Sequence, residues 1–94
     1  MSIYQAKVKV RLRPSVLDPA GEATKAAANR LGVKGVSSLR IGKIVEFNIE
    51  ASDEKLAKEQ VELLSDRLFA NPVIEDWEME IISSAEKKQN NLNL

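Results

Sequence analysis

Apolar and polar positions alternate without a break along YQAKVKVRLR, residues 4–13. Tyr4, Ala6, Val8, Val10 and Leu12 share one face of an extended chain, and Gln5, Lys7, Lys9, Arg11 and Arg13 share the other. The spacing predicts a strand with one dry and one wet face, closed by Pro14, which has no N–H to give to a ladder. The period then changes. Asp18 suits an N-cap and Pro19 a first helical position, where no N–H bond is required. Ala20, Ala23, Ala27 and Leu31 recur at helical spacing, and Gly32 is a natural stop. A stripe built almost wholly of alanine means that this helix must lie close to whatever it covers.

Beyond Gly32 the pattern is extended again. Val45, Phe47 and Ile49 alternate with Glu46, Asn48 and Glu50, a clear strand. Residues 35–41 read as a weaker one, expected to pair with it as a hairpin bent near Ile41-Gly42-Lys43. Ser52 or Asp53 caps a second helix, whose stripe is Ala57, Val61, Leu64 and Leu68; Asn71-Pro72 ends it, because the residue before proline is pushed out of helical geometry. In VIEDWEMEII, residues 73–82, Trp77, Met79 and Ile81 face one way, Glu78 and Glu80 the other. Residues 83–94 are polar, without a sustained apolar pattern, and are expected to form a flexible tail.

The order β-α-β-β-α-β predicts an α+β fold over residues 1–82: a ferredoxin-like sandwich with a four-stranded antiparallel sheet, spatial order 4-1-3-2, and both helices on one face. That order places the cations of the first strand beside Glu46 and Glu50 on one side and Glu78 and Glu80 on the other. The basic stripe thus reads as a solvated, salt-bridged sheet face or as a docking surface for another protein.

Charge and composition narrow the function. Fourteen Lys and Arg balance fourteen Asp and Glu, which argues against general nucleic-acid binding. The first strand also lacks the exposed aromatics on which a β-α-β-β-α-β domain stacks RNA bases. The chain has no Cys and no His. Disulfides, thiolate or imidazole metal sites and the Cys–His or Ser–His–Asp machineries are therefore excluded. No apolar run follows Met1 and none approaches ~18 residues, so neither a secretory signal nor a membrane helix is expected and cytoplasm is the default. Arg40-Ile41-Gly42-Lys43 has two cations around a glycine, but three specified residues do not make a P-loop, and a hairpin turn with solvated charges is the simpler reading. Asp18-Pro19-Ala20-Gly21 reads as a cap, since a cap carboxylate occupies the donors that an anion would need. Glu75 and Asp76 are adjacent in a strand and point to opposite faces, so they do not converge as a catalytic pair. Trp77 reads as a core or interface anchor.

Taken in order, AKVKVRLRPSVLDPAG, the LG that ends the first helix, LRIGKIVEFNIE and LFANPVIEDWEMEI resemble PurS, the small subunit of bacterial and archaeal phosphoribosylformylglycinamidine synthase. Val33 after Leu31-Gly32 and the tail after Ile82 are departures. The resemblance implies an accessory subunit with no catalytic, cofactor-binding or metal residues of its own. ATP and magnesium would be used by a large synthetase subunit, ammonia released by a glutaminase subunit, and the small chain, as a homodimer or in higher self-association, would bridge the two and help ammonia pass during amidation of formylglycinamide ribonucleotide. Residues matching the family's R-I-G-K and N-P-V-I-E-D segments, Arg40, Gly42, Lys43, Asn71, Glu75 and Asp76, are the expected partner contacts. No nucleic acid and no membrane are expected as partners. A small-molecule-sensing regulatory dimer is the competing reading. Two routes to self-association are open: pairing of the lightly charged GVSSLR edge, and packing through the alanine-rich helix.

Overall fold

The structure is a computed structural model and describes residues 1–83; the expected tail, from residue 84, lies outside the described residues. Strand β1 (Ser2–Leu12) is followed by helix α1 (Pro19–Arg30), strand β2 (Gly42–Ala51), helix α2 (Glu54–Leu64), one π-helical turn (Ser65–Phe69) and strand β3 (Glu75–Ser83). The three strands form one antiparallel sheet in the order β2-β1-β3. The alternation read from β1 is observed: Tyr4, Ala6, Val8 and Val10 are buried. Across the ladder Val8 faces Val45 and Met79, and Val10 faces Trp77. On the opposite face Lys7 lies between Glu46 and Glu80, and Lys9 beside Glu78, as the charge pattern required.

The fold is α+β with an antiparallel sheet and two helices, but the sheet has three strands, not four. Residues 35–41 do not pair. Ser38 has a positive φ of 52°, which breaks an extended run. The Ile41 N–H that a ladder would use is taken by Asp18 Oδ2 at 2.8 Å, and the Arg40 guanidinium turns back to the carbonyls of Arg13 and Val16. Gly42 is accordingly no hairpin bend. It is the first residue of β2, opposite Arg11, where a Cβ would lie 2.9 Å from the Val10 carbonyl oxygen.

Helix α1 starts as expected, with Asp18 Oδ1 accepting the Gly21 N–H at 2.9 Å, and the chain leaves it through Gly32 at φ 94°. It does not cover the sheet. Ala20 and Ala23 are exposed, and Leu31 keeps 84% of its surface in water. The expectation of two helices on one sheet face is thereby corrected, for a reason that appears at the helix root below. Helix α2 does cover the dry face. Asp53 caps it through Leu56 N–H, and Ala57 and Val61 are fully buried against β1. Its register shifts at the π-helical turn, where the Ala70 N–H reaches back to the Ser65 carbonyl. Phe69 therefore turns inward, edge-on to Phe47 with centroids 5.5 Å apart, while Leu68 of the predicted stripe is 70% exposed. Ser65 is fully buried at the shift, and its hydroxyl donates to the Val61 carbonyl at 2.7 Å.

The wet face is held by ion pairs of modest value. Lys7 meets Glu46 at 4.0 Å and Arg11 meets Glu78 at 3.8 Å, all four side chains well solvated. Such pairs contribute at most about 1 kcal/mol. Glu46→Gln is expected to shift the urea midpoint by the equivalent of less than about 0.5 kcal/mol, and the shift should vanish in high salt; a larger or salt-insensitive loss would mean that this face is structurally essential.

Candidate functional site

All six residues picked out from the sequence come to one end of the sheet, because β2 and β3 both begin where antiparallel β1 ends. Residues the local pattern did not single out join them there. Arg13 is the centre. Its N–H donates to the Ile74 carbonyl at 2.9 Å, its guanidinium donates to the Pro72 carbonyl at 2.6 Å, and its Nε lies 3.2 Å from Asp76 Oδ1. Arg40 donates to the carbonyls of Arg13 at 2.9 Å and Val16 at 2.7 Å. Asn71 and Glu75 serve the turn into β3: Glu75 Oε1 accepts the Asn71 N–H at 2.7 Å, and Asn71 Oδ1 accepts the Val73 N–H at 3.1 Å. Glu75 and Asp76 do point to opposite faces, the first into that turn and the second toward Arg13.

Five of the six are thus engaged within the chain, Gly42 through its close approach to β1. Lys43 is exposed and has no ion-pair partner among the described residues, and Lys9 on β1 likewise.

Asp18 ties α1 to this end. It is only 4% exposed and holds two backbone donors, Ile41 and Gly21, one on each carboxylate oxygen. Those two hydrogen bonds, with the Arg40 charge nearby, hold its carboxyl below the usual range, against a smaller opposing effect of burial. Gly21 packs against the Leu39 carbonyl oxygen with no room for a side chain. The root of α1 is therefore clamped to the segment that leads into β2, and the helix departs from the sheet instead of folding over it. The sequence showed Asp18 as a cap; its bond to Ile41, 23 residues away, leaves no trace in local spacing. Between the clamp and the sheet runs a groove of about 530 Å³ whose walls include Arg11, Leu12, Leu39, Arg40 and Asp76.

The arrangement offers no nucleophile beside a base. Among the described residues no group of three His, Cys, Asp or Glu is placed to hold a metal ion. Nor is any helix among those residues long and apolar enough to cross a membrane. What the end provides is a polar surface, tied by hydrogen bonds, with Lys9 and Lys43 exposed.

The comparisons with known proteins agree with one another. The PurS family, described as phosphoribosylformylglycinamidine (FGAM) synthase, matches residues 5–83. The phosphoribosylformylglycinamidine synthase subunit PurS of Synechocystis is 49% identical over 78 residues, 83% of this chain and 78% of that protein. The crystal structure of Bacillus subtilis PurS superposes with a TM-score of 0.76 at 42% identity, covering 84% of this chain and 98% of the other. The structure of PurLQS from Thermotoga maritima contains a chain that superposes with a TM-score of 0.79 at 29% identity, covering 87% of this chain and all of that one. With a family match across nearly every described residue, and relatives of this identity and coverage, the chain belongs to the PurS family of phosphoribosylformylglycinamidine synthase.

Proposed function

We propose that this chain is the small, non-catalytic subunit of phosphoribosylformylglycinamidine synthase, acting in the cytoplasm in purine biosynthesis. The observation that carries the reading is the match over residues 5–83, together with the full-length superposition on a chain of the Thermotoga PurLQS complex. In this role the chain joins a glutaminase subunit to a synthetase subunit, where ATP and magnesium are used, and works as a pair of identical copies. Residues 1–82 act as one folded unit. The physical need for such a joint is plain. Ammonia released into neutral water is largely protonated, and ammonium is no nucleophile. A connector that aligns the two sites shortens the interval in which protons are gained. A stiff sheet with a polar end can do this without reactive groups, which accords with a chain lacking Cys and His.

The contact surface in this reading is the end of the sheet that carries Arg40, Gly42, Lys43, Asn71, Glu75 and Asp76. Lys43 is the residue to probe. Arg40 holds two carbonyls of its own chain, so its variants confound contact with folding, whereas Lys43 makes no ion pair among the described residues. Added to the two larger subunits, the wild-type chain is expected to be required for glutamine-dependent turnover and dispensable for turnover on free ammonia. Lys43→Glu is expected to raise the concentration needed for half-maximal glutamine-dependent activity about tenfold, a change of ~1.4 kcal/mol. Full glutamine-dependent activity without the chain would refute the role. Wild-type behaviour of Lys43→Glu would remove this end of the sheet as the contact.

A further inference from the structure

Arg40-Ile41-Gly42-Lys43 has two cations around a glycine, and its reading as a hairpin turn does not hold, because Gly42 opens β2. These residues form instead one side of a hollow of about 300 Å³, whose walls include Lys9, Arg11, Arg40, Gly42, Ile44 and Glu78. The strand register places it on the wet face. Lys9 and Arg11 are alternate residues of β1 and point the same way, with Ile44 opposite Lys9 and Gly42 opposite Arg11. Gly42 has no side chain to fill the space beside Arg11, and none would fit. A Cβ there would lie 2.9 Å from the Val10 carbonyl oxygen and 3.3 Å from the Arg11 Cβ. The floor is therefore bare backbone, which a ligand can approach closely.

The charge of this hollow is one-sided. Lys43 borders it but pairs with Val10, in the dry-face register. Without Lys43 the walls still hold three cations against one carboxylate. Lys9 is exposed and makes no ion pair among the described residues. Arg11 and Glu78 stand 3.8 Å apart, both largely in water, so their pairing is weak and leaves Arg11 open to a better partner. Arg40 is fixed by two hydrogen bonds that both use Nη2, and its Nε and Nη1 take no part in them. Forked guanidiniums beside a point charge, over a floor of backbone, are the chemistry that recognises a phosphate group.

Arg11 and Arg40 also line the larger groove of about 530 Å³ between the clamp and the sheet. Its other walls are mixed: Leu12, Pro14 and Leu39 are apolar, while Glu22, Ser38 and Asp76 are polar. Small-molecule sites combine apolar walls with a few polar groups, and carboxylates in such walls accept hydrogen bonds from ribose hydroxyls. A phosphate held over Gly42 would place the rest of its molecule in this groove. We propose that this end of the sheet binds a ribosyl phosphate, with the phosphate on Lys9, Arg11 and Arg40 and the sugar end between Leu12, Leu39 and the carboxylates. The proposal goes beyond the subunit reading and does not depend on it, so it is tested on the chain alone.

The full-length chain is titrated with ribose 5-phosphate and with adenosine 5′-monophosphate, and the backbone amide resonances of Gly42 and Ile44 are followed. Saturable shifts are expected, with affinity about tenfold tighter than for inorganic phosphate or for adenosine. Lys9→Gln should weaken binding about tenfold. Lys7→Gln makes the same change of charge on the same face, outside the hollow, and should stay within about twofold of wild type. Glu78→Gln removes the carboxylate that competes for Arg11 and should tighten binding about threefold, a gain that loss of structure cannot imitate. Equal weakening by Lys9→Gln and Lys7→Gln would reduce the site to general attraction by a basic face and overturn the proposal. So would Gly42 and Ile44 amides that do not move at millimolar ligand, or ribosyl phosphates that bind no tighter than inorganic phosphate.

Discussion

Gly21→Val is expected to destabilise the chain by about 2–3 kcal/mol, seen as a lower urea midpoint by far-UV circular dichroism. Gly21 stands in the first turn of α1, where a residue with a side chain would normally be the better helix former. Here the added Cβ would land on the Leu39 carbonyl oxygen and 2.9 Å from Asp18 Oδ2. The first obstacle is backbone and cannot rotate aside. The clamp must then open or the helix root must shift, and either movement strains the two hydrogen bonds of Asp18. A few tenths of a kcal/mol gained from helix propensity do not offset that. Gly35 is the matched control: nothing lies within 4 Å of its Cβ position, and Gly35→Val should stay within about 0.5 kcal/mol of wild type. Equal effects at the two glycines would show that α1 is not clamped.

Asp18→Ala is expected to lower the thermal midpoint and, more tellingly, to remove an acid-dependent part of stability. The substitution strips the cap from the Gly21 N–H and the side-chain partner of the Ile41 N–H. The direction of the pH effect follows from linkage. Hydrogen bonds to Ile41 and Gly21 lower the carboxyl pKa in the folded chain. Its contribution is therefore present in full above the unfolded carboxylate value of about 4 and is lost as pH falls through the lower folded value. The gap in midpoint between wild type and Asp18→Ala should be constant near neutrality and shrink as the solution is acidified. Asp18→Asn, with one acceptor oxygen instead of two, should recover part of the neutral gap. A gap that persists undiminished at pH 2 would assign the loss to packing and not to the carboxylate.

These two residues also mark where local reading stops. Strands β1, β2 and β3 and helix α2 were legible because each puts apolar side chains on one face at a fixed period, and burial of that face is what holds them. The charge pattern across β1 was legible for the same reason, since opposite charges must meet once the strand order is known. Residues 35–41 misled. VSSLRI has the composition of a weak strand, but the Ile41 N–H is taken by the Asp18 side chain from before α1, and Ser38 leaves the extended region. Leu68 misled because a single π-helical turn advances the register and exchanges it for Phe69. The six candidate contact residues, taken from two separate segments of the sequence, lie together at one end of the sheet, while the role of Arg13 in binding that end together could not be told from its place in the alternation of residues 4–13.

What the sequence by itself determined is the three strands and the second helix with a one-sided apolar period, the absence of Cys and His chemistry, and the family. These depend on spacing along the chain or on composition, so no distant residue can undo them. What only the tertiary structure decided is where α1 goes. Its path depends on an aspartate bonding 23 residues onward, a glycine fitting under a carbonyl, and an arginine closing two loop carbonyls. Those are contacts between segments with no common period, and they turn an ordinary-looking amphipathic helix away from its own sheet.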